Sequence, residues 1–157
     1  MQKTNSARLL DKQGIQYELV SYEVDENDLS AQTVAAKVGE PLEQIFKTLV
    51  LRGDKSGVFV AIIPGNTEVD LKKTAKASGN KKAAMVQMKE ILGLTGYIRG
   101  GCSPVGMKKK YPTFIHESCR YYEKIYVSAG IRGLQLKITP ANLIKAADAE
   151  ICDIAEE

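Results

Sequence analysis

Between Arg99 and Lys108-Lys109-Lys110 the chain runs Gly100-Gly101-Cys102-Ser103-Pro104-Val105-Gly106, three glycines and a proline in one short stretch. Glycine admits positive φ and lets the backbone approach a ligand closely, while proline stiffens the turn and offers no donor. Such a loop can turn N–H groups toward a carbonyl or phosphate oxygen, which makes Gly100 and Gly101 candidates for an oxyanion or anion nest. The plainer alternative is an ordinary connection after a strand at Tyr97-Ile98-Arg99. A second unusual residue is Lys47, set among Ile45, Phe46, Leu49 and Val50. A partly desolvated ammonium there could orient a carbonyl or phosphate and stabilise developing negative charge from the side opposite the loop. A strand-edge lysine that snorkels to water is the competing reading.

Other chemistries have little to work with. His116 is the one imidazole, and its place in an apolar strand pattern favours a structural role over a Ser-His-Asp or Cys-His apparatus. Cys102 sits in the glycine loop without a base beside it and reads as a small packing residue. Cys102, Cys119 and Cys152 are odd in number and form no Cys-x-x-Cys, so reduced thiols are expected, with neither a disulfide framework nor a zinc ribbon. The acidic runs Asp25-Glu26-Asn27-Asp28 and Glu156-Glu157 lack histidines at ligand spacing, and no metal is expected. Gly-x-Gly-x-x-Gly and P-loop patterns do not occur, so no nucleotide cofactor is expected.

Charge is strongly segregated. Residues 71–110 hold ten Lys or Arg against one acid, Glu90, although the whole 157-residue chain is only +3, so the flanking parts are net acidic. A solvated lysine-rich surface is one reading, and a positive face for a polyanion is the other. No stacking platform or Cys/His finger accompanies the lysines, so binding would be to phosphate and shape. No apolar run approaches the roughly 20 residues of a membrane span, and the polar start Met1-Gln2-Lys3-Thr4-Asn5-Ser6 lacks a signal-peptide core. A cytoplasmic protein without membrane partners is expected.

These residues need elements to position them. Thr4 caps a predicted helix to about Gln13, stopped by Gly14, and Tyr17-Glu18-Leu19-Val20 alternates as a strand. Ser30 starts a second helix ending at Gly39, and Pro41 opens a short helical turn leading to a strand at 45–51. Val58–Ile63 completes a hairpin across Gly53-Asp54-Lys55-Ser56-Gly57. Asp70 caps a basic helix, Leu71–Ser78, which places Lys72, Lys73 and Lys76 near one another. A short helix at Met88–Leu92 follows. Strands are expected at Thr113–His116, Ile125–Ser128 and Leu134–Ile138, then a helix capped by Thr139-Pro140 and a closing strand at Glu150–Ile154. One domain over residues 1–157 is expected, α+β or mixed α/β, with a mixed sheet curled toward a barrel and flanked by helices.

Taken together, Phe46-Lys47-Thr48-Leu49, Leu71-Lys72-Lys73-Thr74-Ala75-Lys76, Gly96-Tyr97 with Gly100–Gly106, and Tyr126-Val127-Ser128-Ala129-Gly130-Ile131-Arg132-Gly133-Leu134 resemble, in order, the YbaK/EbsC family. That family comprises free-standing aminoacyl-tRNA editing proteins, typically Cys-tRNA(Pro) deacylases, related to the editing domain of bacterial prolyl-tRNA synthetases. The resemblance implies a pocket for the aminoacyl end of a mischarged tRNA. Lys47 matches the family's essential lysine. Tyr22, Thr48, Gly100, Gly101, Ser128 and Gly130 match its pocket positions, and Ser30, Ser103, Pro104 and Gln135 are further substrate-binding candidates. It also implies substrate-assisted chemistry, in which the cysteinyl thiol attacks its own ester carbonyl, so that neither histidine nor metal is required. Lys72, Lys73, Lys76, Lys81, Lys82 and Lys108, Lys109 and Lys110 would form the tRNA phosphate track. A prolyl-tRNA synthetase is a further partner that the resemblance suggests. Two positions depart from the family pattern: Leu29-Ser30 stands where an aromatic is common, and Gln135 where many members carry an acid. An editor of Ala- or Ser-tRNA, or a non-catalytic tRNA- or synthetase-binding module, therefore stays open beside cysteine editing.

Overall fold

The computed structural model describes residues 3–157. In chain order it contains α1 (Asn5–Lys12), β1 (Glu18–Ser21), α2 (Ala31–Val38), β2 (Phe46–Gly53), β3 (Gly57–Pro64), α3 (Leu71–Ser78), β4 (Ala83–Met85), α4 (Ile91–Thr95), β5 (Thr113–His116), β6 (Ile125–Ser128), β7 (Leu134–Ile138), α5 (Pro140–Ala147) and β8 (Ala149–Cys152). Short 3-10 turns at Leu42–Gln44, Met88–Glu90 and Glu117–Tyr121 fill the gaps. The four expected caps are in place: the Thr4, Ser30, Asp70 and Thr139 side chains accept from Ala7, Thr33, Lys73 and Asn142 N–H respectively. No helix among the described residues is long and apolar enough to cross a membrane.

The strands form two sheets, β1-β7-β6 and β4-β2-β3-β5-β8. The first is antiparallel, whereas β3, β5 and β8 run parallel inside the second. A single bridge, Ile45 to Tyr126, links them. Among the described residues no sheet closes on itself, so the expected barrel is replaced by two sheets packed together. The strand expected at Tyr97–Arg99 does not form either: Gly96 ends α4 in the left-handed conformation, and the chain passes directly into the glycine loop. Nothing in the sequence signals β4, because Ala83-Ala84-Met85 is three residues long and poor in β-branched side chains.

Why Val58–Ile63 is apolar without alternation becomes clear from its two faces. Val60 and Ile62 pack with Phe46, Ile115, Val127 and Leu136, while Phe59, Ala61 and Ile63 pack with Leu51, Phe114 and Ile154 on the other side. A central strand buried on both faces needs a continuous apolar run. The Phe59 and Phe114 rings meet edge to face at 5.9 Å.

Buried polar contacts hold the glycine loop in place. Tyr97 donates its hydroxyl hydrogen to Val105 O at 2.6 Å, Ser6 Oγ donates to the same carbonyl at 2.8 Å, and Asn5 Nδ2 donates to Gly106 O at 2.9 Å. Burial raises the Tyr97 phenol above its ordinary range, so it serves as a neutral donor. Tyr97→Phe should therefore lower stability by about 0.5–1.5 kcal/mol, the net worth of one buried hydrogen bond, since Val105 O keeps the Ser6 donor. A denaturant midpoint equal to that of the wild type would contradict this.

Candidate active site

A cavity of about 450 Å³ lies where the two sheets meet, bordered by β2, the start of α2, the glycine loop and the facing strands β6 and β7. β4 pairs with β2 only from Leu51 to Gly53, which leaves the Phe46–Leu49 stretch of that edge facing the cavity. The register fixes which backbone groups point there. Val60 N–H turns away from β2 to donate to Pro112 O at 2.8 Å, so Val50–Val60 is a pair without mutual hydrogen bonds, and by alternation Thr48–Ile62 is another. Val50 O accepts from Val86 N–H at 3.1 Å on the outer edge. Thr48 N–H consequently points outward, toward the same open edge.

Of the residues singled out from sequence, Lys47, Thr48, Tyr22, Ser30, Gly100, Ser128 and Gln135 line this one cavity. Lys47 is half-buried and faces the exposed Glu68 carboxylate at 3.8 Å. That pair is too long and too exposed to hold the ammonium firmly. Ser128 and Gln135 stand directly opposite each other on β6 and β7, which puts both side chains on one face. Gln135 is only 5% exposed, and among the described residues its Oε1 has no hydrogen-bond partner; Thr48 Oγ1 is likewise buried and unpaired there. Both residues line the cavity, and two buried oxygens left unsatisfied among the described residues carry a standing penalty.

Gly100 has φ +81, and a Cβ there would lie 3.1 Å from Leu29 Cδ1. Among the described residues its N–H has no acceptor. Gly101, Ser103, Pro104 and Gly130 do not line the cavity. Gly101 N–H donates to Ile98 O at 2.9 Å, and its missing side chain lets the loop pass close to the Ile131 backbone, where a Cβ would lie 3.1 Å from Ile131 Cα. Ser103 and Pro104 are buried, with Ser103 Oγ accepting from Val105 N–H. Gly130 N–H donates to Ser128 Oγ at 3.2 Å. These four lie outside the lining, while Gly100 borders the cavity with its N–H unpaired among the described residues and Thr48 N–H points to the open edge of β2.

Cys102 lines the cavity, but burial pushes its thiol up to about 11, so it is protonated at neutral pH and a poor nucleophile. His116 lies elsewhere, capping the turn at Glu117–Tyr121 through Nδ1 to Ser118. His116, Glu117 and Asp153 are close enough to share a cation, yet Lys73 Nζ already sits 3.0 Å from Asp153 Oδ2. The loop before α2 is fixed by Asp28, which accepts from Thr33 Oγ1 and Ser30 N–H. These bonds lower its carboxyl to about 2, so their support exists above the ordinary carboxylate range and is lost as pH falls through about 2.

The tRNA-track lysines divide. Lys72, Lys76, Lys81, Lys82, Lys108 and Lys109 are exposed, whereas Lys73 is held by Asp153 and Lys110 pairs with Asp148 at 2.9 Å. Residues that sequence reasoning did not place are Leu49, Gly65, Glu68, Met85, Met88 and Ile91 on the cavity wall. Their positions depend on β4 and on where the two sheets diverge, for which the sequence carries no local signal.

Fold and site together define a small-ligand pocket with largely apolar walls and, among the described residues, one lysine and no histidine in its lining. The chain belongs to the family of aminoacyl-tRNA editing domains, whose model matches residues 25–146. It is 46% identical over 153 residues to the Enterococcus faecalis protein named "Putative Cys-tRNA(Pro)/Cys-tRNA(Cys) deacylase EbsC", covering 98% of this chain and 93% of that one. It is also 34% identical over 82 residues to the proline–tRNA ligase of Fervidobacterium nodosum, a match spanning 52% of this chain and 14% of the ligase. A crystal structure described as "a putative trans-editing enzyme for prolyl tRNA synthetase" superposes with a TM-score of 0.85 at 26% identity, covering 99% of this chain and 100% of the other. The resemblance drawn from the motifs thus corresponds to family membership.

Proposed function

We propose that this protein is a trans-acting deacylase that removes cysteine from mischarged tRNA(Pro) in the cytoplasm, with the whole chain acting as one domain. The observation that carries the reading is the meeting of Lys47, Thr48, Gly100 and Gln135 at one cavity, with Thr48 Oγ1 and Gln135 Oε1 lacking a partner among the described residues. Gln135 Oε1 accepts from the substrate α-ammonium. Thr48 and Gly100 N–H, with Lys47, stabilise the oxyanion that forms on the ester carbonyl. The cavity exceeds an aminoacyl group and leaves space for the attached ribose.

In this reading the substrate supplies its own nucleophile. The cysteinyl sulfur bonds to the ester carbonyl carbon, the bond to the tRNA 3′-oxygen breaks, the thiol proton ends on that oxygen, and a cyclic thiolactone leaves for hydrolysis by water. The protein contributes near-attack geometry and charge stabilisation. Leu29 and the neutral Gln135 give the alternative reading, an editor of Ala- or Ser-tRNA, its specific support. Parallel turnover of Cys-, Ala- and Ser-tRNA separates them: cyclisation needs the thiol, so release of alanine at the cysteine rate would overturn the proposed route. Release from none of the three, with tRNA binding retained, would leave a binding module.

The exposed lysines of the track are the proposed phosphate contacts. Because Lys110 is tied to Asp148, the sharper test is Lys108→Glu with Lys109→Glu. The slope of log affinity for tRNA against log salt should flatten by about two, nearly one for each phosphate no longer neutralised. An unchanged slope would remove these lysines from the track.

A further inference from the structure

The mouth of the cavity carries apolar side chains that the molecule leaves uncovered. Met85 on β4 is 45% exposed, Met88 60% and Leu92 56%. Single exposed apolar residues are ordinary on any protein. Here Met85 and Met88 line the same cavity, and Leu92 follows Met88 at helical spacing. Cations lie in the neighbouring segments, where Glu90 is paired with Arg52 and Glu68 is the carboxylate on the cavity wall. Lys82 leads into β4, Lys89 follows Met88, Arg99 lines the cavity, and Lys108 Nζ lies 3.4 Å from Gly93 O on α4.

We propose that this methionine rim seats the 3′-terminal nucleoside of tRNA, with the base lying on Met85 and Met88 and the preceding phosphates facing Arg99 and Lys108. The inference rests on the deacylase reading above and adds the subsite through which the tRNA enters. Its first support is continuity. An ester held at Lys47 and Thr48 is joined to a ribose, so whatever leaves the mouth must be that sugar, its base and then phosphodiesters. Its second is chemistry: exposed apolar side chains with Arg99 and Lys108 in neighbouring segments match a flat base followed by anionic linkages. A second copy of the chain would instead bring these like charges face to face. Methionine is soft and conformationally adaptable, and can lie against a base in a chain that has no tryptophan.

The test uses the full chain labelled with methyl-¹³C methionine, which gives four methyl signals. The probe is a short RNA carrying the tRNA 3′ end, without an amino acid, beside the same RNA ending in an abasic ribose. The Met85 and Met88 methyls should move upfield with the first RNA and not with the second, while Met107, packed against the core, stays in place. Unmoved Met85 and Met88 signals, or equal shifts with the abasic RNA, overturn the proposal. Met85→Gln with Met88→Gln should lower kcat/KM for Cys-tRNA(Pro) about tenfold, the size of one stacked base, and an unchanged value would also overturn it. The two readings fail separately: base-dependent shifts without deacylation of any tRNA keep the nucleoside site and remove the deacylase, while deacylation with silent methyls does the reverse.

Discussion

Lys47→Ala is expected to lower single-turnover deacylation of Cys-tRNA(Pro) by about 10²- to 10³-fold, the usual cost of removing one group that stabilises an oxyanion. Lys47 lies near the start of β2 in the lining of the cavity, and it makes one loose ion pair, to Glu68 at 3.8 Å. Truncation leaves no buried charge behind, so the variant should unfold at the wild-type midpoint. Removing an exposed pair of this length costs little stability. The combination is diagnostic: large kinetic loss with unchanged stability assigns Lys47 to the chemistry. A variant that keeps wild-type turnover would remove it from that role. One that loses both activity and fold would make it a structural lysine.

The second large effect is expected at Gln135, where function and stability should move in opposite directions. Its Oε1 is buried and unpaired in the free protein, so Gln135→Leu removes an atom that costs the resting state free energy. The melting temperature should hold or rise. At the same time kcat/KM for Cys-tRNA(Pro) should fall about 10- to 100-fold, the worth of a hydrogen bond from a charged ammonium. Gln135→Glu would place an acid at this position and strengthen pairing with the α-ammonium, yet would bury a carboxylate in the free protein and lower its stability. If Gln135→Leu leaves kcat/KM unchanged, the substrate amino group is held elsewhere.

Sequence reading succeeded where signals are local. Ser30, Asp70, Thr4 and Thr139 announced helix starts because an N-cap is a property of a few adjacent residues, and all four caps are made. The hairpin of β2 and β3 followed from two apolar runs around a glycine turn. Lys47 stood out because a lysine within such a run is conspicuous. What escaped was set by long-range geometry. Whether a mixed sheet curls shut or divides in two depends on pairing between distant strands, and here one bridge from Ile45 to Tyr126 joins the two sheets. The glycine loop shows the same limit. Its composition marked a close approach, but only the fold reveals that Gly101 N–H is spent on Ile98 O while Gly100 faces the cavity. Met85 was invisible as a cavity residue because β4 is too short to leave a pattern, and Met88 because nothing local tells which way its helical turn faces.

The most direct test of the central claim is the release of cysteine from Cys-tRNA(Pro) by excess wild-type protein in a single turnover, with the released product identified. The account predicts release well above the spontaneous rate, with thiolactone formed before free cysteine. Release no faster than in buffer, from protein shown to be folded, would contradict it.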